Sequence, residues 1–384
     1  MKFKYYDDGA LRCQLSGRSF AVTYHIRGTE KEALEIAKNM CVEQTVEFPA
    51  EHIGCPAIHD GILGRVACVE DKGNGFQRVD IVYAEETAGD DLPQLLNVVF
   101  GNSSLLPGIV LKRISLSDQM REKFPGPRYG VEGLRERLHV YNRPFTFTAL
   151  KPMGLPPEAL AEEAYQCALG GIDLIKDDHG LMDQAFSRYR ERVEQAAEAV
   201  RRANTETGGH TAYIPNISGS FRETDDRLSL AADCGCGGVL VSPGLVGFDM
   251  ISYAAEKTKL PVVAHPAFLG GSLDRGKGGI DCACLLGQLP RLAGADILVF
   301  PNFGGRFSLT EEQCAGIRDR AAEAPGHAAA PCPAGGMRME KIRQMVEFYG
   351  NDTALLMGGS LFTAPGSLAE NCRKFREKLE EMMI

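Results

Sequence analysis

GGIDLIKDDHGLMDQ, residues 170–184, starts as an apolar strand and ends in four consecutive ionisable side chains, Lys176, Asp177, Asp178 and His179. Packing a strand into a core does not require that much charge. Side chains alternate between the two faces of a strand. Lys176 and Asp178 therefore share one face and Asp177 takes the other. His179, just past the strand end, can turn in beside the first pair.

The same texture recurs from about residue 145 to the end of the chain. Short apolar runs are FTFTALKP (145–152), IDLIKDDH (172–179), TAYIPNIS (211–218), GVLVSP (238–243), VVAHPA (262–267), DILVFPN (296–302), APCPAGG (330–336) and TALLMGGS (353–360). Helical patterns follow them, among them PEALAEEAYQCALGG, RETDDRLSLAADCG, TEEQCAGIRDRAAEA and GSLAENCRKFREKLEEMM. Eight strand–helix repeats are the number that closes a (β/α)8 barrel. Near-continuous apolarity is what parallel strands covered by helices require. Residues before this region read differently. GRSFAVTYHIRG and FQRVDIVYAEE alternate like half-exposed strands, and EKEALEIAKNMCVEQ reads as a helix. The expected architecture is α/β: an α+β domain over 1–125, a Pro/Gly-rich linker over 126–144, and a C-terminal TIM barrel over 145–384.

Composition narrows the function classes. The chain has 384 residues, a net charge of −9, and 44% hydrophobic and 24% charged residues, as in a globular enzyme. No long basic run marks it for nucleic acid; the richest segment, RYRERV (188–193), is interleaved with Glu and reads as a solvated helix face. No stretch reaches 18 uninterrupted apolar residues, and the first residues, MKFKYYDDGALRCQ, hold no apolar leader core, so no membrane association and a cytoplasmic location are expected. The twelve cysteines are then expected reduced and mostly buried. The C-x-C pairs Cys234/Cys236 and Cys282/Cys284 lack the usual zinc spacing.

Barrel enzymes carry their chemistry at the C-terminal ends of the strands. Those ends hold Lys151, then Lys176 with Asp178 and His179, then Asn216, His265, and Asn302 with Arg306 just beyond; the last two are the glycine pairs Gly335–Gly336 and Gly358–Gly359. A carboxylate beside an imidazole suits a divalent cation. Lys176 can join them only as a carbamate, after its amine adds CO2. The alternative is a Lys176–Asp178 ion pair with His179 as a loop residue, and spacing alone does not separate the two. The late glycines offer backbone N–H groups to phosphate, or are plain turn residues.

These residues carry a resemblance. GGIDLIKDDHGLMDQAFSRYRERV resembles the carbamylated-lysine segment of the RuBisCO large chain, of pattern GG-x-D-x-x-KDDE. ALKPMGLPPE resembles the first barrel strand of that family, and VVAHPAF, GADILVFPNFGGRF, CPAGGM and LLMGGSLFTAPG resemble strands five to eight. CVEQTVEFP and VVFGNSS resemble the segments whose Glu and Asn reach the neighbouring subunit's site, which would give Glu43 and Asn102 that role in a homodimer or a larger assembly of dimers. The departures are His179 for the metal glutamate, Met153 for the second lysine of KPK, and Pro266, Val299 and Ala334 for three residues of one phosphate site; Arg306 replaces the lysine that grips CO2.

The resemblance thus implies a non-carboxylating RuBisCO-like protein acting on a phosphorylated small molecule with one phosphate. Lys176, Asp178 and His179 would hold the metal, Mg2+ or a softer ion. Lys151 would deliver a proton to carbon, with His265 orienting or shuttling protons; Asn302 and Arg306 would touch substrate. Decarboxylation or C–C cleavage of a 3-oxo sugar acid phosphate, such as 3-oxo-isoapionate 4-phosphate, is the first expectation. Isomerisation or enolisation of a methylthio-pentose phosphate is the alternative. Readings of other classes are a Schiff-base aldolase using Lys151 or Lys176, and a catalytically silent phosphate-ligand binder.

Overall fold

The computed structural model describes residues 11, 13–124, 126–307, 309–324 and 326–383. The first ten residues, on which the expectation of no leader rests, lie outside them. No helix among the described residues is long and apolar enough to cross a membrane. The chain forms two compact units.

The first unit comprises the first 125 residues and a later excursion, Gly271–Leu285. Its strands are β1 (Ser19–Arg27), β2 (Arg65–Gly73), β3 (Phe76–Ala84), β4 (Ile109–Ser115) and, from the excursion, β10 (Gly279–Ile280), in the order β10-β4-β1-β3-β2. β10 joins parallel to β4, and the other pairs are antiparallel. Alternation along β1 buries Phe20, Val22, Tyr24 and Ile26. The helix Glu30–Glu43 packs beside β1, β2 and β3 and buries Ala33, Ala37, Met40 and Cys41. Thr29 and Glu32 close a capping box at its start, satisfying amides the helix cannot.

The second unit contains all eight expected barrel strands: β5 (Phe145–Ala149), β6 (Leu174–Lys176), β7 (Ala212–Ile214), β8 (Val239–Val241), β9 (Val262–Ala264), β11 (Ile297–Pro301), β12 (Ala330–Ala334) and β13 (Ala354–Leu356). They form two four-stranded parallel sheets, β13-β5-β6-β7 and β8-β9-β11-β12. The seam between β12 and β13 has a covalent cause. A parallel strand bonds its two neighbours with alternate residues. On β12, Ala330 and Ala334 bond the β11 side. The residues facing β13 are Pro331 and Pro333, which have no N–H to donate. Thr353 Oγ1 instead donates to Pro331 O at 2.7 Å. At the other seam, Leu240 N donates to Pro215 O and Ile217 N to Leu240 O.

Three expectations change. The segment 126–144, read as a linker, holds the helix Gly130–Leu138. Val131, Leu134, Leu138 and Val140 belong to one core cluster with Phe145, Phe147, Leu174, Ile297, Ala330 and Ala354. The helix therefore closes the floor of the barrel, because apolar strand residues there need cover. Its start is held by Asp296, whose Oδ1 accepts from the amides of Tyr129 and Gly130, both at 2.8 Å. Gly130 has φ +57°, and a Cβ there would lie 2.6 Å from Ala328 O. Second, no long helix follows β9 directly. The chain leaves the barrel unit at Gly271, adds β10 to the other sheet, and returns as a π-helical stretch, Ala283–Gln288, before the short helix Leu289–Leu292. Third, the RYRERV segment is not all solvated: Arg192 and Tyr189 are buried. Cys236, Cys282 and Cys284 are buried and Cys234 is half-buried.

The floor helix should contribute as core does. Leu134→Ala is expected to lower unfolding free energy by about 2–5 kcal/mol in urea titrations. Glu136→Ala, on the exposed side of the same helix, should stay within about 0.5 kcal/mol. Equal small effects would mean that 126–144 is only a tether.

Candidate active site

The charged run at the end of β6 divides by face as alternation requires. Asp177 points outward and is fully buried. It accepts from Arg192 Nε at 3.2 Å, Tyr213 Oη at 2.7 Å and Asn216 N at 3.1 Å. Arg192, on the helix Tyr189–Thr207, also donates to Ser187 O and Met182 O. Asp177 is thus a structural carboxylate that ties a strand end to its covering helix.

On the inner face, Lys176 is 2% exposed and its Nζ donates to Asp177 O at 3.0 Å. Burial, aided by Lys151 and opposed by Asp178, pushes its amine down to about 8. A fraction of that amine is neutral, hence nucleophilic, near neutral pH. Lys151 lies two residues past β5, and its Nζ meets Asp178 Oδ2 at 2.6 Å. Burial pushes the Asp178 carboxyl up, but the His179 hydrogen bond and the charges of Lys176 and Lys151 outweigh it and hold it well below the usual range. Asp178 Oδ1 is 3.4 Å from His179 Nδ1. The rings of His179 and His265 stack with centroids 5.0 Å apart and a 4° interplanar angle. Burial, then Lys176 and His179, depress the His265 pKa well below its ordinary value. His265 Nδ1 accepts from Ala267 N at 3.2 Å, which leaves the proton of the neutral ring on Nε2. Asn216 steadies the loop by donating to His179 O at 3.0 Å. Gln184 braces it further, donating to Gly180 O at 2.6 Å.

Lys151, Lys176, Asp178, His179 and His265 therefore come together. Of the late glycines, Gly358 sits beside Lys151. Gly335 and Gly336 have φ of +85° and +94°, and a Cβ on Gly305 would lie 2.1 Å from Gly335 O, so two loops meet backbone to backbone. A Cβ on Gly358 would be 3.5 Å from Lys151 Cε. Gly359 is exposed and opens the short helix Gly359–Thr363. Val299 and Ala334 lie in or against the barrel core. Arg306 is exposed, with its guanidinium 5.5 Å from the Phe307 ring centroid.

Asn302 departs from expectation. It is buried, its Oδ1 accepts from Tyr349 Oη at 2.7 Å, and its Nδ2 donates to the sulfurs of Met345 and Met337 at 3.0 and 3.6 Å. Its polar atoms are engaged in packing, so it is not available to substrate. In the first unit Glu43 and Asn102 are both exposed, and Asn102 Nδ2 donates to Glu43 Oε1 at 2.8 Å. Sequence reasoning missed Glu163, whose Oε2 accepts from Lys151 N at 3.2 Å. An acidic residue in an amphipathic helix gives no signal of such a role.

A cation here would draw on Lys176. Among the described residues no three His, Cys, Asp or Glu side chains are placed to hold a metal by themselves. Two ligand atoms of one octahedral ion at 2.0–2.1 Å lie about 3 Å apart. The 3.4 Å between Asp178 Oδ1 and His179 Nδ1 is close to such an edge. With the buried Lys176 amine beside them, the residues fit a three-ligand site completed by a lysine carbamate.

A family model described as ribulose bisphosphate carboxylase large chain, catalytic domain, matches residues 130–383. Ribulose bisphosphate carboxylase-like protein 1 of Rhodopseudomonas palustris is 40% identical over 360 residues, covering 92% of this chain and 95% of that protein. The 5-methylthioribulose-1-phosphate isomerase of Rhodospirillum rubrum is 38% identical over 357 residues, covering 92% and 94%. The crystal structure of the Rubisco-like protein from Rhodopseudomonas palustris superposes with a TM-score of 0.85 at 39% identity, covering 96% of this chain and 99% of that one.

The outward carboxylate should behave unlike the inward one. Arg192→Leu leaves Asp177 buried without its cation, and a loss of about 3–5 kcal/mol of stability is expected. Arg190→Ala, two residues away on the exposed face, should change stability by less than about 0.5 kcal/mol. Urea unfolding of both variants decides it; a stable Arg192→Leu protein would mean that water reaches Asp177.

Proposed function

Because the chain belongs to the RuBisCO large-chain family, in its non-carboxylating RuBisCO-like branch, we propose that it is a metal-dependent enzyme that moves protons on a keto-pentose carrying one phosphate. The observation that carries this reading is the convergence of Lys151, Asp178, His179 and His265 over the buried Lys176. Lys176 as its carbamate, Asp178 and His179 are the residues that would hold a divalent ion. When bound, that ion supplies a Lewis acid that stabilises negative charge on a substrate oxygen.

The remaining work falls to the chain itself. Lys151 is the general acid–base group, carrying a proton on Nζ to or from a substrate carbon. His265, kept neutral by burial, offers a hydrogen-bond donor at Nε2 without adding a competing cation. The backbone of Gly335–Gly336 and Gly358–Gly359 forms the phosphate cradle. Pro266, Val299 and Ala334 offer no side-chain donor for a second phosphate.

Isomerisation or enolisation of a methylthio-pentose phosphate is the favoured chemistry. The relative named as a 5-methylthioribulose-1-phosphate isomerase supports it. So does Met153, whose methyl lies against Gly180 beside His179, where the family pattern would place a charge. An apolar substrate tail suits that surface. Cleavage of a 3-oxo sugar acid phosphate is the second reading. It is favoured by Arg306, which lies on Phe307 where a lysine would grip CO2.

Large apolar side chains are exposed in the segments that follow the barrel strands, among them Met153, Phe186, Phe221 (86%), Leu245 and Phe268 (80%). In the first unit Leu105 (83%) and Leu106 flank the Asn102 segment. Exposed apolar side chains suit burial against a partner subunit. We assign them to a homodimer in which Glu43 and Asn102 of one subunit complete the site of the other.

With 5-methylthioribulose 1-phosphate in deuterated water, Mg2+ and bicarbonate, NMR should show isomer formation and deuterium entering a carbon-bound position. Lys151→Ala should lower the rate by about 10²–10⁴-fold, and Asp178→Asn or His179→Ala should lose metal affinity and turnover together. Full activity in excess chelator would remove the metal; CO2 release from 3-oxo-isoapionate 4-phosphate without isomerisation would favour the second reading. Mixing inactive Glu43→Ala with inactive Lys151→Ala protein should restore activity through hybrid sites. No recovery in dimers shown to exchange subunits would place Glu43 outside the site.

A further inference from the structure

Lys151 is held at its head, and one flank of its stem faces a glycine. Its Nζ reaches Asp178 at 2.6 Å. On the Gly358 flank only a glycine faces its Cε, so no side chain packs there. The last ladder bond of this strand end is Leu150 N to Lys176 O at 2.9 Å, and the amide of Lys151 is the first beyond it. That amide donates to Glu163 Oε2 at 3.2 Å. Glu163 is half-buried on the second turn of the helix Pro157–Leu169. We propose that Glu163 is a positioning residue for Lys151: its carboxylate anchors the Lys151 peptide and so sets the reach of Nζ toward Asp178 and the substrate. The inference rests on Lys151 being the proton-carrying residue.

The geometry makes the role specific. Lys151 lies where the chain leaves the sheet, and an unanchored peptide there could rotate and swing a four-carbon side chain. A helix-borne acceptor removes that freedom, as supporting hydrogen bonds do for functional side chains. Burial pushes the Glu163 carboxyl up to about 7, with the Lys151 N–H drawing it back. The groups facing it are that N–H and, one turn along its own helix, the Cys167 thiol, itself hydrogen-bonded to the Cys372 thiol of the last helix. Near neutral pH the carboxyl therefore changes between a charged and a neutral acceptor, the charged one being stronger. The Lys151 anchor should tighten as pH rises through about 7.

The test reads Lys151 directly, without substrate. Trinitrobenzenesulfonate labelling, followed by mass spectrometry of the Lys151 peptide, reports how freely its amine reacts. Glu163→Leu keeps bulk but removes the acceptor, and should speed labelling about fivefold or more. Glu163→Gln keeps an acceptor and should stay within about twofold of the parent. In turnover, Glu163→Leu should lower kcat about tenfold or more with little change in KM, and Glu163→Gln should recover most of it. The ratio of parent to Glu163→Gln labelling should step near pH 7. Glu163→Leu labelling at the parent rate would overturn the proposal. Should that variant fail to fold, a flat parent-to-Gln ratio across pH 6–8 would overturn it instead. Absence of turnover on the pentose phosphate would count against the reaction assigned above and leave the labelling result standing.

Discussion

Arg192 and Asp177 form a fully buried ion pair, and the arrangement of the barrel mouth depends on it. A buried pair of this kind adds little net stability over an apolar pair of equal size. Its effect is on register. Slipping β6 by one residue would turn Asp177 into the barrel and Lys176 and Asp178 out of it. With Tyr213 and the Asn216 amide as further partners, Asp177 has one outward position that satisfies it. The inward face of Lys176 and Asp178 follows from that choice.

The mouth so produced is electrostatically unusual for an acidic chain. Lys176 and Lys151 share the Asp178 carboxylate, and the nearby His265 is held neutral by burial. Local positive potential inside a cleft concentrates anionic substrate even where net charge is −9. The low dielectric that depresses the Lys176 amine also strengthens its attraction to Asp178. Burial, usually a penalty for charge, here prepares an amine to react, while His179, Lys176 and Lys151 keep the Asp178 carboxylate ionised against it. The scaffold supports this from below. The floor helix keeps water from the strand starts, and the proline seam of β12 is bridged by Thr353.

The candidate site was largely legible because its residue types are costly elsewhere. Lys176, Asp178 and His179 at the end of an apolar strand, and His265 at another strand end, have few reasons to occur except to meet. Asn302 shows the limit of that inference. It stands at a strand end like the others, yet it is buried against Tyr349, Met337 and Met345. A strand-end position identifies candidates; only side-chain direction separates a ligand-facing group from a packing one. Glu163 was illegible for the opposite reason. Its partner is a backbone amide twelve residues away, and backbone groups leave no mark in a sequence.

Local periodicity was enough to determine the eight barrel strands, the α+β texture before them and the split of the charged run into two faces. Each follows from geometry within a few residues, either alternation along a strand or the repeat of a helix. Tertiary structure alone decided that 126–144 is a floor rather than a linker, that Gly271–Leu285 joins the first unit, and that Arg192 is core rather than surface. All three are choices of long-range partner. An amphipathic helix can cover any apolar surface of matching shape, and a two-residue strand has no periodicity to read. An arginine among glutamates looks solvated until the opposing carboxylate, fifteen residues earlier in the chain, is brought against it.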